Sequence, residues 1–229
     1  MAESIVENID CLEAMAQFPD NYFDLAIVDP PYGIGENGRR PRLSRSRGPK
    51  GKLYDNGYED KEIPSQEYFD ELFRVSKGQI IWGVNCFVGS RKLPDWPGRI
   101  IWNKMQTGDF SDCELAFCSM HKTLKLFTYM WNGMMQGKSI TEGHIMQGNK
   151  KLNEKRIHQC QKPVALYRWI LKEYAKPGFK ILDTHLGSGS SRIACDLDGF
   201  DFWGYEIDPK CFSDHLGRWK IHESQLKLF

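Results

Sequence analysis

The sequence predicts an α/β domain on a doubly wound, mostly parallel sheet, and three observations carry that prediction. Short apolar runs suited to strands recur at Leu25–Asp29, Gln79–Gly83, Ile100–Asn103, Glu114–Cys118, Lys180–Asp183 and Phe202–Ile207, several ending in Asp or Gly. Helical patterns lie between them, and such alternation argues for a parallel sheet covered by helices. The strand at Lys180–Asp183 also runs into a Gly-rich turn that opens a helix, as in nucleotide-binding α/β domains.

The clearest helix is Pro163–Lys176, where Val164, Tyr167, Ile170, Leu171 and Tyr174 share one face. Pro163 suits its first turn and Pro177-Gly178 stops it. A second helix is expected over Ser65–Val75, capped by Ser65, with Tyr68, Phe69, Leu72 and Phe73 inward. Residues 104–156 read differently, rich in Met, Trp, Gly and Asn with weak periodicity, and are expected to be an insertion.

With 229 residues, 41% of them hydrophobic, the chain can bury one good-sized core, so a single domain over residues 1–229 is expected. No apolar run approaches the roughly 20 residues of a membrane span, and the N-terminus lacks a secretory pattern. Seven cysteines form an odd, scattered set without a C-x-x-C pair, which reads as reduced thiols. A soluble, cytoplasmic protein is the expectation.

The net charge is only +1, yet Arg39, Arg40, Arg42, Arg45, Arg47, Lys50 and Lys52 fall together with no acid among them. Such a Gly-, Pro- and Ser-rich block cannot form a packed core, so residues 33–62 are expected to form a basic flexible loop. It is either a solubilising loop or an arm for nucleic-acid phosphates; its place just after Asp29–Tyr32 favours the arm.

After Asp183 comes Thr184-His185-Leu186-Gly187-Ser188-Gly189, then a helix from about Arg192. Small residues let a ligand approach the backbone, and the free N–H groups of a helix start attract an anion. The next strand ends in Glu206, 19 residues beyond Gly187, where a doubly wound site places an acid on ribose hydroxyls. Arg192 stands where NAD enzymes carry a third glycine, which lowers a dehydrogenase reading.

Asp29-Pro30-Pro31-Tyr32 follows the first strand. An exocyclic amine on an aromatic base is a poor nucleophile because its lone pair is delocalised into the ring. A carboxylate and a carbonyl, each accepting one N–H, localise that lone pair and stabilise the charge that develops on attack. Asp29 and the Pro30 carbonyl supply such a pair, Pro31 stiffens the turn, and Tyr32 offers a ring for stacking a base outside the duplex.

In this order the motifs resemble the S-adenosylmethionine-dependent amino-methyltransferases of the DNA adenine-N6 or cytosine-N4 type. The resemblance implies a Rossmann-like methyltransferase fold with the permuted order of that family's beta group: catalytic motif, variable target-recognition segment, cofactor motifs. Double-stranded DNA is then the expected partner, and because many members dimerise, a homodimer is an expected assembly. Asn8-Ile9-Asp10-Cys11 resembles the segment contacting the cofactor's adenine. His158-Gln159-Cys160-Gln161-Lys162-Pro163 resembles a signature that helps bind the methionine end.

The resemblance thus implies S-adenosyl-L-methionine held by Asp10, Cys11, Asp29, Gln161, Lys162, Asp183, His185, Gly187, Ser188, Gly189 and Glu206, with Asp29, Pro30, Pro31 and Tyr32 catalytic. It is close over about residues 8–32 and 157–212 and looser between, where Phe110–Phe117 matches best. The family's loop usually begins Asp-Pro-Phe, whereas this chain has Asp183-Thr184-His185, so His185 replaces an aromatic ring. Asp at position 29 favours adenine N6, since Ser is commoner there in the cytosine group. Cytosine N4 is the alternative, as is a module that binds cofactor without catalysis. Trp131 is left between a base contact and a core or dimer role.

Overall fold

The computed structural model describes residues 2–35, 60, 62–87, 89–105, 111–132, 135–137, 153–158 and 160–226. The seven basic residues from Arg39 to Lys52 lie outside the described residues.

Among the described residues the main sheet has eight strands: β1 (Ser4–Glu7), β2 (Phe23–Val28), β3 (Ser76–Trp82), β4 (Arg99–Asn103), β5 (Cys113–Cys118), β6 (Leu124–Thr128), β9 (Lys180–Asp183) and β10 (Asp201–Tyr205), in the order β1-β10-β9-β2-β3-β5-β4-β6. β7 (Met130–Asn132) and β8 (Met135–Gly137) form a separate antiparallel pair. The pairings from β1 to β3 are all parallel, as expected. Beyond β3 the sheet turns mixed, because β5 runs antiparallel to both β3 and β4.

Residues 104–156, expected as an insertion, contribute β5 and β6 to this sheet, and Ala116, Phe117 and Cys118 are buried in the core. Among their described residues only β7 and β8 form strands apart from the sheet. Strand β6, which the weak local pattern hid, leaves Leu124 and Leu126 exposed.

The helices are α1 (Cys11–Met15), α2 (Gln66–Val75), α3 (Val84–Phe87), α4 (Val164–Tyr174), α5 (Ser190–Asp198) and α6 (Pro209–Leu226). Ser65 caps α2 as its sequence predicts, its Oγ accepting the Tyr68 N–H at 3.2 Å. Pro163 sits one place earlier than expected, at the cap of α4. The reason is Glu154, whose Oε2 accepts the Val164 N–H at 3.0 Å and supplies the cap that proline cannot.

Strand β2 shows why its sequence is apolar without interruption. Leu25 and Ile27 enter the core layer formed with Leu166 and Ile170 of α4, while Ala26 and Val28 enter the opposite layer with Phe69 and Leu72 of α2. A strand covered on both faces has no polar side to show. Phe69 is fully buried between the sheet and α3, 5.3 Å from the ring of Phe87. Phe69→Ala is expected to destabilise the fold by about 3–5 kcal/mol, read as a lower urea midpoint with an unchanged slope.

Candidate active site

The chain reverses its winding direction between β9 and β2, and their pairing, Leu25 with Ile181 and Ala26 with Leu182, makes this the topological switch point. Asp29 and Asp183 therefore leave the sheet side by side, as the motif order predicts.

On the β2 side, the Tyr32 hydroxyl donates to Asp29 Oδ1 at 2.6 Å. Lys162 Nζ stands 2.6 Å from Asp29 Oδ2 and 2.9 Å from Glu114 Oε2, and donates to Tyr32 Oη at 3.0 Å. Lys104 pairs with the other oxygen of Glu114. The Lys162 side chain is only 3% exposed, so its charge depends on these partners.

Burial alone would lower the Lys162 pKa, but Asp29 and Glu114 outweigh it and keep the ammonium protonated. Burial likewise opposes the Glu114 charge, yet Lys162 and Lys104 hold that carboxyl down to about 2. At Asp29 the balance goes the other way. Burial, reinforced by the Glu114 charge, raises its pKa despite Lys162.

Gly83, at φ +73°, is required by the turn that carries Tyr32, since a Cβ there would stand 2.1 Å from Tyr32 Cε1. The turn is held from the far side by Asp60, whose carboxylate accepts the N–H groups of Gly33 at 2.8 Å and Ile34 at 3.3 Å. A cleft of about 590 Å³ opens on Tyr32, lined also by Ile34, Ile63, Cys86 and Arg91.

On the β9 side, Gly187 and Gly189 have φ of +50° and +72°. A Cβ on Gly189 would strike the His215 ring at 2.2 Å, so close approach of α6 also demands glycine there. Glu206 turns back on the loop, accepting the Gly187 N–H and the Asp208 N–H, each at 2.9 Å. Arg218 braces the loop from α6, donating to the Ser188 carbonyl at 2.8 Å and Ser190 Oγ at 2.9 Å, with Glu154 on its other nitrogen at 2.5 Å. Arg192, at the place of a third glycine, lies 3.7 Å over the Trp219 ring and donates to Ser4 Oγ, fastening α5 to α6.

Asp183 accepts the Ser191 hydroxyl at 2.5 Å and the His185 N–H at 3.1 Å, yet burial raises its pKa to about 7. His185, held at about 4 by burial, is a neutral ring edge-on to Tyr68, with Nδ1 2.9 Å from Thr184 Oγ1. Asp10 caps α1 through the Leu12 N–H, and burial pushes the adjoining Cys11 thiol up to about 12.

The expected site residues divide into two groups. Asp10, His185 and Glu206 are close enough to act electrostatically on one another or on Cys11 at the cofactor end. Gln161 and Lys162, expected at the methionine end, have these protein partners. The Gln161 amide bonds Glu154, Lys155 and Ile157, and the Lys162 ammonium serves the Asp29 side. Trp131 takes the core role, with its Nε1 on the Gln161 carbonyl at 2.8 Å.

Glu114, Lys104, Tyr68 and Asp60 were not among the expected site residues. Glu114 did carry a signal: an acid inside the apolar run Cys113–Cys118 needs a buried partner.

An aspartic acid with a raised folded-state pKa keeps a proton that the unfolded chain loses above its ordinary value of 3.8. Asp183 therefore costs stability as pH rises from about 4 to 7. Asp183→Asn is expected to gain on the wild type by on the order of 2 kcal/mol between pH 5 and pH 8, read from urea unfolding at the two pH values.

A family model described as DNA methylase matches residues 102–214. The chain is 26% identical over 235 residues to the type II methyltransferase M.HinfI of Haemophilus influenzae, covering 88% of this chain and 64% of that protein's length. It is 23% identical over 209 residues to the putative methylase YubD of Escherichia coli (strain K12), covering 86% of this chain and 82% of YubD. Among solved structures, the M1.HpyAVI–SAM complex matches with a TM-score of 0.52 at 16% identity, covering 95% of this chain and 98% of that one. The cytosine-N4-specific PvuII DNA methyltransferase matches with a TM-score of 0.52 at 11% identity, covering 91% and 83%. The structural likenesses concern the fold, and the motifs and sequence matches concern the family. Together they make the chain similar to the S-adenosylmethionine-dependent amino-methyltransferases of the adenine-N6 and cytosine-N4 type.

Proposed function

We propose that the protein transfers the methyl group of S-adenosylmethionine to the exocyclic amine of a base in double-stranded DNA, and that the amine is adenine N6. The observation that carries this reading is the juxtaposition of Asp29 and Asp183 at the switch point, one at the amine-chemistry motif and the other at the Gly-rich loop.

The loop fits the cofactor. A Cβ on Gly187 would meet only the His185 carbonyl, at 3.8 Å, so the backbone is open to a ligand on that side. The N-terminus of α5 and the N–H groups of the loop suit a carboxylate, and Glu206 retains lone pairs for ribose hydroxyls. When bound, S-adenosylmethionine supplies an electrophilic methyl on a sulfonium.

The chain's own residues prepare the nucleophile. Asp29 and the Pro30 carbonyl accept the two N–H groups of the amine, draw its nitrogen toward tetrahedral geometry and stabilise its growing positive charge. Tyr32, backed by Gly83, holds the base that has left the helix. The basic residues between Arg39 and Lys52 contact phosphates, which makes binding salt-sensitive. Residues 104–156 contribute target recognition, and a homodimer is the working assembly.

Adenine is preferred because the first motif residue is Asp29. The cytosine-N4 specificity of the PvuII enzyme, which has a similar fold, keeps cytosine as the second reading. Labelled cofactor, varied duplexes and digestion to nucleosides decide between them. N6-methyladenine is the expected product; N4-methylcytosine alone, or confirmed cofactor binding without any transfer, overturns the reading.

Asp29→Ala is expected to lower turnover by about 100-fold or more while calorimetry shows cofactor binding largely intact. Gly83→Ala, which drives a methyl into the Tyr32 ring, is expected to reduce turnover by about tenfold or more with cofactor affinity preserved.

A further inference from the structure

The Lys162 ammonium lies against three oxygens, pairing with the carboxylates of Asp29 at Oδ2 and Glu114 at Oε2 and donating to Tyr32 Oη. Two of these belong to the catalytic motif. The third belongs to β5, a strand that no catalytic or cofactor motif includes. A buried ammonium facing Asp29 alone would bind it tightly and would oppose the positive charge that grows on the attacking amine. Glu114 changes both terms. It takes a share of the ammonium, and its own charge offsets the lysine's field. Lys104 on the other oxygen of Glu114 keeps that carboxylate from swinging away, and Lys104 itself lies 5.3 Å over the Trp102 ring.

We propose that Glu114 is a positioning residue for methyl transfer: by sharing Lys162 with Asp29 it loosens the lysine's hold on Asp29 and leaves that carboxylate free to accept the N–H of the incoming amine. The inference rests on the methyl-transfer reading above. Lys162 acts as the movable element. When the amine engages Asp29, the ammonium leans on Glu114, and the site needs no further charge. Asp29 and Glu114 together balance Lys162 and Lys104.

Asp29 is surrounded on every side by groups that set its charge. Tyr32 follows it in the chain and Lys162 faces it from ahead of α4, with Glu114 on β5 and Lys104 behind that. Tyr68 on α2, Tyr167 on α4 and Asp183 on β9 also sense its charge. Of these, Glu114 and Asp183 are the acids, and Lys162 and Lys104 the bases.

The test uses Glu114→Gln, Lys162→Gln and the double variant, with cofactor binding by calorimetry as the check on folding. Glu114→Gln leaves Asp29 under the undiluted lysine field, so kcat is expected to fall about tenfold with cofactor Kd unchanged. The acid limb of the kcat profile should move to lower pH.

In the Lys162→Gln protein the two acids repel and Asp29 takes up a proton. There, adding Glu114→Gln should raise kcat rather than lower it. A purely structural Glu114 would give harm in both backgrounds and an unmoved acid limb, and either result overturns the proposal.

Carbon-13 NMR of the Asp29 carboxyl, assigned with Asp29→Asn, reads the same coupling without turnover. Its midpoint should move to lower pH in Glu114→Gln, and an unchanged midpoint overturns the proposal. A wild-type protein that methylates no DNA overturns the reaction assigned above, while the NMR result still decides the role of Glu114.

Discussion

The parallel pairing of β2 with β9 is the constraint on which the rest of the structure depends. These strands come from opposite ends of the chain, and their register sets how far the catalytic turn stands from the Gly-rich loop. Because a slip of one residue moves every side chain to the opposite face, the alternating burial of Leu25, Ala26, Ile27 and Val28 protects that register. The two core layers therefore do more than stabilise the fold. They align a carboxylate from one end of the sequence with a loop from the other.

Around that joint the protein buries more charge than a hydrophobic core would tolerate unpaired. Lys162, Asp29, Glu114 and Lys104 form a chain of ion pairs at the end of the sheet, closed by Tyr32. Networks of this kind seldom add much stability over apolar residues of the same size, because desolvation consumes most of the attraction. Their use here is positional. Each group restricts where the next can point, and Asp29 is held by Lys162 and Tyr32 in a place where burial favours its proton.

The cofactor side follows a different rule, in which backbone shape comes first and side chains brace it. Left-handed glycines shape the loop, Glu206 ties its first N–H, and Arg218 holds it from beneath through Ser188 and Ser190. Arg218 also joins Glu154, which caps α4 and bonds Gln161. The segment ahead of α4 thus touches the loop through one arginine and the catalytic turn through Lys162. It is the physical link between the two halves of the site.

The sequence by itself determined β2, β3, β9 and β10 of the parallel half, the helices α2, α4 and α5, and the two motifs with their order, because these rest on local signals: apolar runs, caps, prolines and glycines at fixed spacing. Asp29–Tyr32 and Asp183–Glu206 stand where those signals put them. Tertiary structure alone decided the strand directions beyond β3, the strand β6, which has no clean alternation, and the partners of the charged residues. Lys162 reads locally as a cofactor contact in Gln-Lys-Pro, yet its ammonium crosses to Asp29 and to Glu114, 48 residues earlier in the chain. No local pattern encodes such a contact, since a buried charge is placed by whichever opposite charges the fold brings within reach.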